Sequence, residues 1–318
     1  MTSWARDMHA LARQMSGLAF VVAIGFASAA VAESGLAAHE APPRPRFRLI
    51  LTFDDGPSNE RFEELGRGAS GLPNTPTERI LDVLHAEGIS AAFFVLTGPD
   101  RMFGGTVLLK GETTLGFEEL RREVREGHVL GCHWGGRYGS QLRKHPASLA
   151  LPAYDSDGDG IVDRATYPGN ALESDLLQCM RRGAQAYAAE GRSGEQPALV
   201  RPPLWVYAEG DRDARPAYAA LGLHMVLADA RILDGAFRWA AQWFGFWLVH
   251  QIRQAVRAGN PDVVIALHDV NRRSARALPD LIAQIRRGLA DEGLVEHTDW
   301  KFTSDPDEVL AALGRRSW

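Results

Sequence analysis

Cysteine is nearly absent: Cys132 and Cys179 are the only two in 318 residues, too few for a disulfide scaffold or a thiolate zinc cage. There is no excess of basic charge. Lys and Arg number 35 against 40 Asp and Glu, a net charge of −5, which speaks against gripping nucleic acid through its phosphates. Long apolar runs are missing after the first 32 residues, which excludes a multi-span membrane protein. No internal repeat, phosphate-cradling glycine pattern, or Ser-His-Asp or Cys-His set at strand ends is evident. What remains is 45% apolar and 24% charged, a soluble globular chain of one large domain or two modest ones with ample core.

The N-terminus has its own logic. Arg6 and Arg13 precede the apolar stretch 18–30, which closes on Ala30-Val31-Ala32. A basic start, a short greasy middle and an A-x-A exit predict a cleavable secretory signal over 1–32. The alternative is a retained membrane anchor, but the run is short for a bilayer and carries Gly25 and Ser28. The protein is thus expected in the periplasm or outside the cell, with no stable membrane insertion after cleavage. In that oxidising space Cys132 and Cys179 either pair or stay as buried thiols. Residues 33–46, with Pro42, Pro43 and Pro45, read as a linker to a domain at 47–318.

From Phe47 onward short apolar runs alternate with amphipathic stretches. Strands are predicted at 48–54, 89–96, 129–133, 198–201, 223–228, 263–268 and 294–300. Helices are predicted at 76–88, capped by Thr75 and stopped at Gly88, and at 117–127, 174–190, 239–258, 279–292 and 306–315. The alternation implies a parallel α/β sheet, either open and doubly wound or closed into a barrel, with chemistry at the strand C-termini. The charged motifs fall at those ends: Asp54-Asp55-Gly56-Pro57, Cys132-His133, Arg201-Pro202-Pro203, Asp229 and His268-Asp269. Adjacent carboxylates are expensive unless a cation or a proton separates their duties. Neighbouring strand residues also point oppositely, so one can face a metal and the other a water. A surface Asp-Asp-Gly turn is the plain alternative.

TFDDGP at 52–57, GISAAFFVLTG at 88–98, GHVLGCH at 127–133, VRPPL at 200–204 and VIALHD at 264–269 occur in this order. Together they resemble the polysaccharide deacetylase family, carbohydrate esterase family four, in its nodulation-type chitooligosaccharide deacetylase form. The resemblance implies a distorted (β/α) barrel of about seven parallel strands that removes N- or O-linked acetyl groups from a glycan with a divalent metal, zinc or another first-row ion. It implies Asp54 as general base, Asp55 and two histidines as metal ligands, Arg201 steadying the base, and His268 as general acid tuned by an aspartate. The chemistry is consistent: one carboxylate and two imidazoles leave coordination open for water and acetyl oxygen. An imidazole near neutral pKa suits protonation of a departing amine.

The sequence also departs from the family pattern. The first metal histidine is His133, but His-x-x-x-His spacing lands on Arg137, which cannot ligate a metal. Either the second ligand has moved to His145, followed by Pro146-Ala147-Ser148-Leu149 and reached through Gly135, Gly136 and Gly139, or the site has lost a ligand. His128 precedes its strand and reads as structural. In the third motif Leu204 replaces an aromatic, with Trp205 and Tyr207 close by. In the fourth, Asp229 and Asp234 are both present, and Asp229, at the strand end, is the expected partner of His268. Ala266 stands where a leucine commonly lines the acetyl pocket. Trp205 and Ala266 are therefore the candidate substrate-binding positions.

A second metal signal lies at Asp155, Asp157, Asp159, Ile161 and Asp163, with Gly160 at the sharp turn of a calcium-loop pattern. Thr166 replaces the bidentate glutamate, so any calcium there is weak and structural; a solvated acidic turn is the alternative. The aromatic stretch Phe237, Trp239, Trp243, Phe244, Phe246 and Trp247 offers rings for sugar stacking, but its spacing favours the core face of a helix. The reading that follows is an exported, metal-dependent carbohydrate deacetylase with an acetylated glycan as its partner. Two others stay open: a silent glycan binder, motivated by Arg137, and hydrolysis of a non-sugar amide.

Overall fold

The computed structural model describes residues 47–58, 60–68, 71–97, 99–100, 107–108, 111, 113–133, 169–202, 205, 208–209, 212–231 and 241–315. Its main elements are β1 (Phe47–Gly56), α1 (Pro76–Glu87), β2 (Ala92–Val95), α2 (Thr114–Arg125), β3 (Val129–Cys132), α3 (Gly169–Ala189), β4 (Leu199–Val200), α4 (Arg215–Ala220), β5 (His224–Met225), β6 (Ala230–Arg231), α5 (Ala241–Arg257), β7 (Asp262–His268), α6 (Arg272–Ala290), β8 (Trp300–Phe302) and α7 (Pro306–Gly314). The sheet order is β6-β7-β1-β2-β3-β4-β5, with β8 on the start of β1. All of its described pairings are parallel. No pairing joins β5 to β6 among the described residues, so the sheet is a curled half-barrel, as the resemblance implied.

Side-chain alternation decides what faces where. In β1, Leu49, Leu51 and Phe53 join the large core under the helices, while Ile50 joins a second buried cluster in the lumen. That lumen cluster also holds Phe94, Val129, Leu199, Val226 and Val264, and is closed by Val309, Ala312 and Leu313 of α7. With a period of two, the lumen rows continue upward as Thr52 and Asp54, Gly131 and His133, Arg201, and Ala266 and His268. The apolar floor and the polar rim are thus successive residues of the same strands.

Local chemistry sets the element ends. Thr75 accepts the Glu78 amide at 3.0 Å while Glu78 accepts the Thr75 amide at 2.9 Å, a capping box that starts α1 where the sequence predicts. Gly88 ends it with φ of 63°. Two expectations are corrected. The strand predicted at 294–300 begins only at Trp300, because the Asp299 carboxylate accepts the Val295 amide at 2.9 Å and closes a turn. The helix predicted from 279 begins at Arg272, capped by Asn271, whose side chain accepts the Arg273 amide at 2.9 Å. Pro279 lies inside that helix rather than at its start.

Cys132 and Cys179 form a disulfide from the end of β3 to α3, with Cα atoms 5.9 Å apart. No described helix is long and apolar enough to cross a membrane.

Candidate active site

Asp54 ends the inward row of β1, opposite His268 of β7 in the parallel register. Its carboxylate is buried and pairs with Arg201, Asp54 Oδ1 accepting from Arg201 Nη1 at 2.7 Å. Arg201 is held from several directions. Its Nη1 also donates to Thr52 Oγ1 at 2.7 Å, and its Nε donates to the Val226 carbonyl at 3.2 Å. The guanidinium lies 4.1 Å from the Phe94 ring centroid and 5.2 Å from that of Trp205. Phe94 fits beneath it because Gly131 lacks a side chain; a Cβ there would meet the Phe94 ring at 2.7 Å. A buried ion pair needs such added hydrogen bonds to offset desolvation.

Asp55 would face outward in a regular strand. The register of β1 against β2 breaks between Asp54 and Gly56, and Asp55 has φ of 72°. This irregularity brings its carboxylate back to the rim, where Oδ1 lies 3.4 Å from Nε2 of buried His133. His133 Nδ1 is 2.9 Å from the Arg201 carbonyl, an atom that only accepts, so Nδ1 carries the hydrogen. A lone pair on Nε2 facing a carboxylate repels unless a cation or a proton lies between them. That donor set, one carboxylate and one correctly oriented imidazole, fits a divalent metal. Among the described residues no third His, Cys, Asp or Glu completes a metal-binding group, and His145 and Arg137 lie outside them.

The sequence reading assigned no role to Asp269 or Thr77. Asp269 is fully buried; its Oδ2 accepts from Thr77 Oγ1 at 2.9 Å, and Thr77 Oγ1 accepts the Ser58 amide at 2.9 Å. A Cβ on Gly56 would fall 1.9 Å from Asp269 Oδ2, so only glycine lets the Asp-Asp-Gly turn lie on that carboxylate. The signal was present in the Asp that follows His268, but only the fold shows that it braces the turn.

Beneath this turn two acids of α2 are buried. Glu119 accepts from the Thr75 hydroxyl. Burial, reinforced by Asp269, pushes the Glu119 and Glu123 carboxyls well above the ordinary range. His128 is structural, as expected: Nδ1 accepts the Ala91 amide at 3.2 Å, and burial, with Arg122, pulls its pKa down to about 3.

Asp229 is not placed as expected. Its carboxylate accepts the Val264 amide at 2.7 Å and the Asn260 side-chain amide at 3.2 Å. Val264 is four residues before His268 on β7, so Asp229 is committed to the sheet well below the rim. The two-residue strand β6 follows it, and the apparent strand end at Asp229 is an entry instead. Asp234 lies outside the described residues, as does the calcium-loop pattern at Asp155, Asp157, Asp159, Ile161 and Asp163. Trp205 lies beside Arg201, and Ala266 is buried in the inward row below His268. The aromatic expectation is corrected in part. Gly245, Leu248 and Val249 face the core, while Phe246 and Trp247 face outward.

No curated protein matches the chain closely enough to count as a relative. Among solved structures, the chitin deacetylase of the fungal pathogen Colletotrichum lindemuthianum is similar over 86% of this chain and 90% of that one, at 18% identity and a TM-score of 0.48. A family 4 carbohydrate esterase from Streptomyces lividans is similar over 78% and 90%, at 21% identity and a TM-score of 0.43. A peptidoglycan deacetylase from Bacillus subtilis is similar over 83% and 92%, at 19% identity and a TM-score of 0.44. The polysaccharide deacetylase family matches residues 41–226, more than half of the chain and the part that carries Asp54, Asp55, His133 and Arg201, and the chain belongs to that family.

Proposed function

We propose that the protein is an exported, metal-dependent hydrolase that removes acetyl groups from an acetylated carbohydrate. The observation that carries this reading is the buried Asp54–Arg201 pair on the same rim as the Asp55–His133 contact. Asp55 and His133 would hold the metal, with His145 as the third protein ligand. When bound, a divalent ion acidifies water and stabilises negative charge on the acetyl oxygen.

The chain's own groups supply the rest. Asp54, fixed by Arg201, takes the proton of the water that attacks the acetyl carbon. His268 lies across from it on the neighbouring strand, about 4.8 Å away in the sheet. As the carbon–nitrogen or ester carbon–oxygen bond breaks, His268 protonates the departing sugar atom and acetate is released. We assign Ala266, buried below His268, to the acetyl methyl.

The Cys132–Cys179 disulfide supports an oxidising, extracytoplasmic location. The test is acetate release from chitin oligosaccharides, peptidoglycan fragments and acetylxylan before and after chelation. Zinc restores the rate, whereas calcium, taken up at Asp155–Asp163, restores only thermal stability. Release that survives complete chelation contradicts the metal role, and no release with any divalent ion favours a silent glycan binder.

A further inference from the structure

Phe246 and Trp247 are 66% and 56% exposed on α5, unusual for adjacent large rings. Their position relates them to the rim. Gln251 exchanges two hydrogen bonds with the backbone of Arg231, its Oε1 accepting at 3.2 Å and its Nε2 donating at 3.0 Å. Arg231 pairs with Ala266, two residues below His268, or about 6.6 Å along the strand. Helix α5 crosses over from β6 to its parallel neighbour β7 and so runs against them. Trp247, four residues before Gln251, lies about 6 Å nearer the rim. The exposed ring is therefore level with His268.

A chain of contacts joins the two places. Arg231 lies 5.6 Å from the Trp205 ring, and Trp205 lies against Arg201, the partner of Asp54. The face around Trp247 mixes ring with hydrogen-bonding groups: His250 stacks on Trp247 at 5.6 Å and meets Gln254 at 3.0 Å. From Ala241 to Ile252 the helix carries no Asp, Glu, Lys or Arg. Farther on, Arg253 is bound to the Gly288 carbonyl and Glu292. An anionic lipid surface calls for basic residues beside the rings, and self-association for a wider apolar stripe. An uncharged, polyhydroxylated chain matches rings flanked by imidazole and amide.

We propose that Phe246 and Trp247 form a docking platform for the polymeric part of an acetylated glycan, remote from the scissile group. This rests on the carbohydrate reading above and deepens it, since it gives the polymer a contact surface outside the rim. The test compares the full-length protein with a Phe246→Ala/Trp247→Ala double variant. Retention on insoluble chitin, peptidoglycan and acetylxylan is measured beside acetate release from short acetylated oligosaccharides. Retention on the polymer that the wild type holds most tightly is expected to fall about three- to tenfold. Release from short oligosaccharides stays unchanged, and Trp247→Phe recovers most of the retention.

Equal retention by the double variant overturns the proposal, as does a wild type held by none of the polymers. Phosphatidylglycerol vesicle binding and oligomeric state are measured on the same two proteins, and a loss confined to the vesicles or a change of oligomeric state alone also overturns it. If neither polymer nor oligosaccharide releases acetate while retention still depends on Trp247, the hydrolase reading fails and the platform stands.

Discussion

Arg201 is the residue on which the rim's arrangement turns. It is fully buried, and it connects Asp54, Thr52, the Val226 carbonyl and the Phe94 ring. Replacing it with methionine leaves Asp54 as a buried, unpaired charge. We expect a loss of about 3–5 kcal/mol of stability by denaturant unfolding. The double variant Arg201→Met/Asp54→Asn should recover much of that loss, because the uncompensated charge is gone. Asp229 provides the contrast. Removing its carboxylate with Asp229→Ala unties the Val264 amide and should cost about 1–3 kcal/mol. The pH dependence of acetate release should keep its shape, and a shifted alkaline limb would reinstate Asp229 as the partner of His268.

At the scale of elements, α2 and the turn after it carry buried ionisable groups whose signs differ. Glu123 is fully buried with a raised pKa, so the folded chain keeps a proton that the unfolded chain releases near pH 4.5. Its contribution to stability therefore declines as pH rises above that point. Glu123→Gln should raise the melting temperature at pH 8 and leave it nearly unchanged at pH 4.5. His128 acts in the opposite direction. Its pKa falls from 6.5 to about 3, so stability is lost as pH drops from 6.5 toward 3. His128→Gln should flatten that acid limb, as thermal melts across this range will show.

These elements also show what the sequence reveals. Helix α1 was legible to its caps because Thr75 and Gly88 each act on the backbone of the adjoining turn. The rim motifs were legible because parallel strands end where their charges begin. The return of Asp55 to the rim was not, since it depends on a register break against β2. The two-residue β6 was hidden for a related reason: its identity comes from pairing with Ile265 and Ala266, not from local pattern. The outward turn of Phe246 and Trp247 was missed because an aromatic run has several helical phases, and packing against α6 selects one.

For the molecule as a whole, the lumen is a column with an apolar floor plugged by α7 and a polar rim made from the next residues of the same strands. Burying Asp54, His133 and Arg201 above that floor depends on the floor staying shut. The Cys132–Cys179 disulfide anchors the neighbour of His133 to α3 across a sequence separation of 47. Closing a loop of that length removes about 4 kcal/mol of unfolded-state entropy. Cys132→Ala/Cys179→Ala should lower stability by a comparable amount, and the wild type should drop to the same level under reducing agent. A variant as stable as the oxidised wild type would contradict this role.

The most direct measurement is the rate of acetate release by Asp54→Asn, with bound metal quantified in the same sample. The change keeps the shape of the side chain and removes its basicity. A fall of about 10²–10⁴-fold with metal content unchanged is expected for a general base in the water-activating position. Release at the wild-type rate would place the chemistry elsewhere, and loss of the metal in step with the rate would make Asp54 a ligand instead of the base.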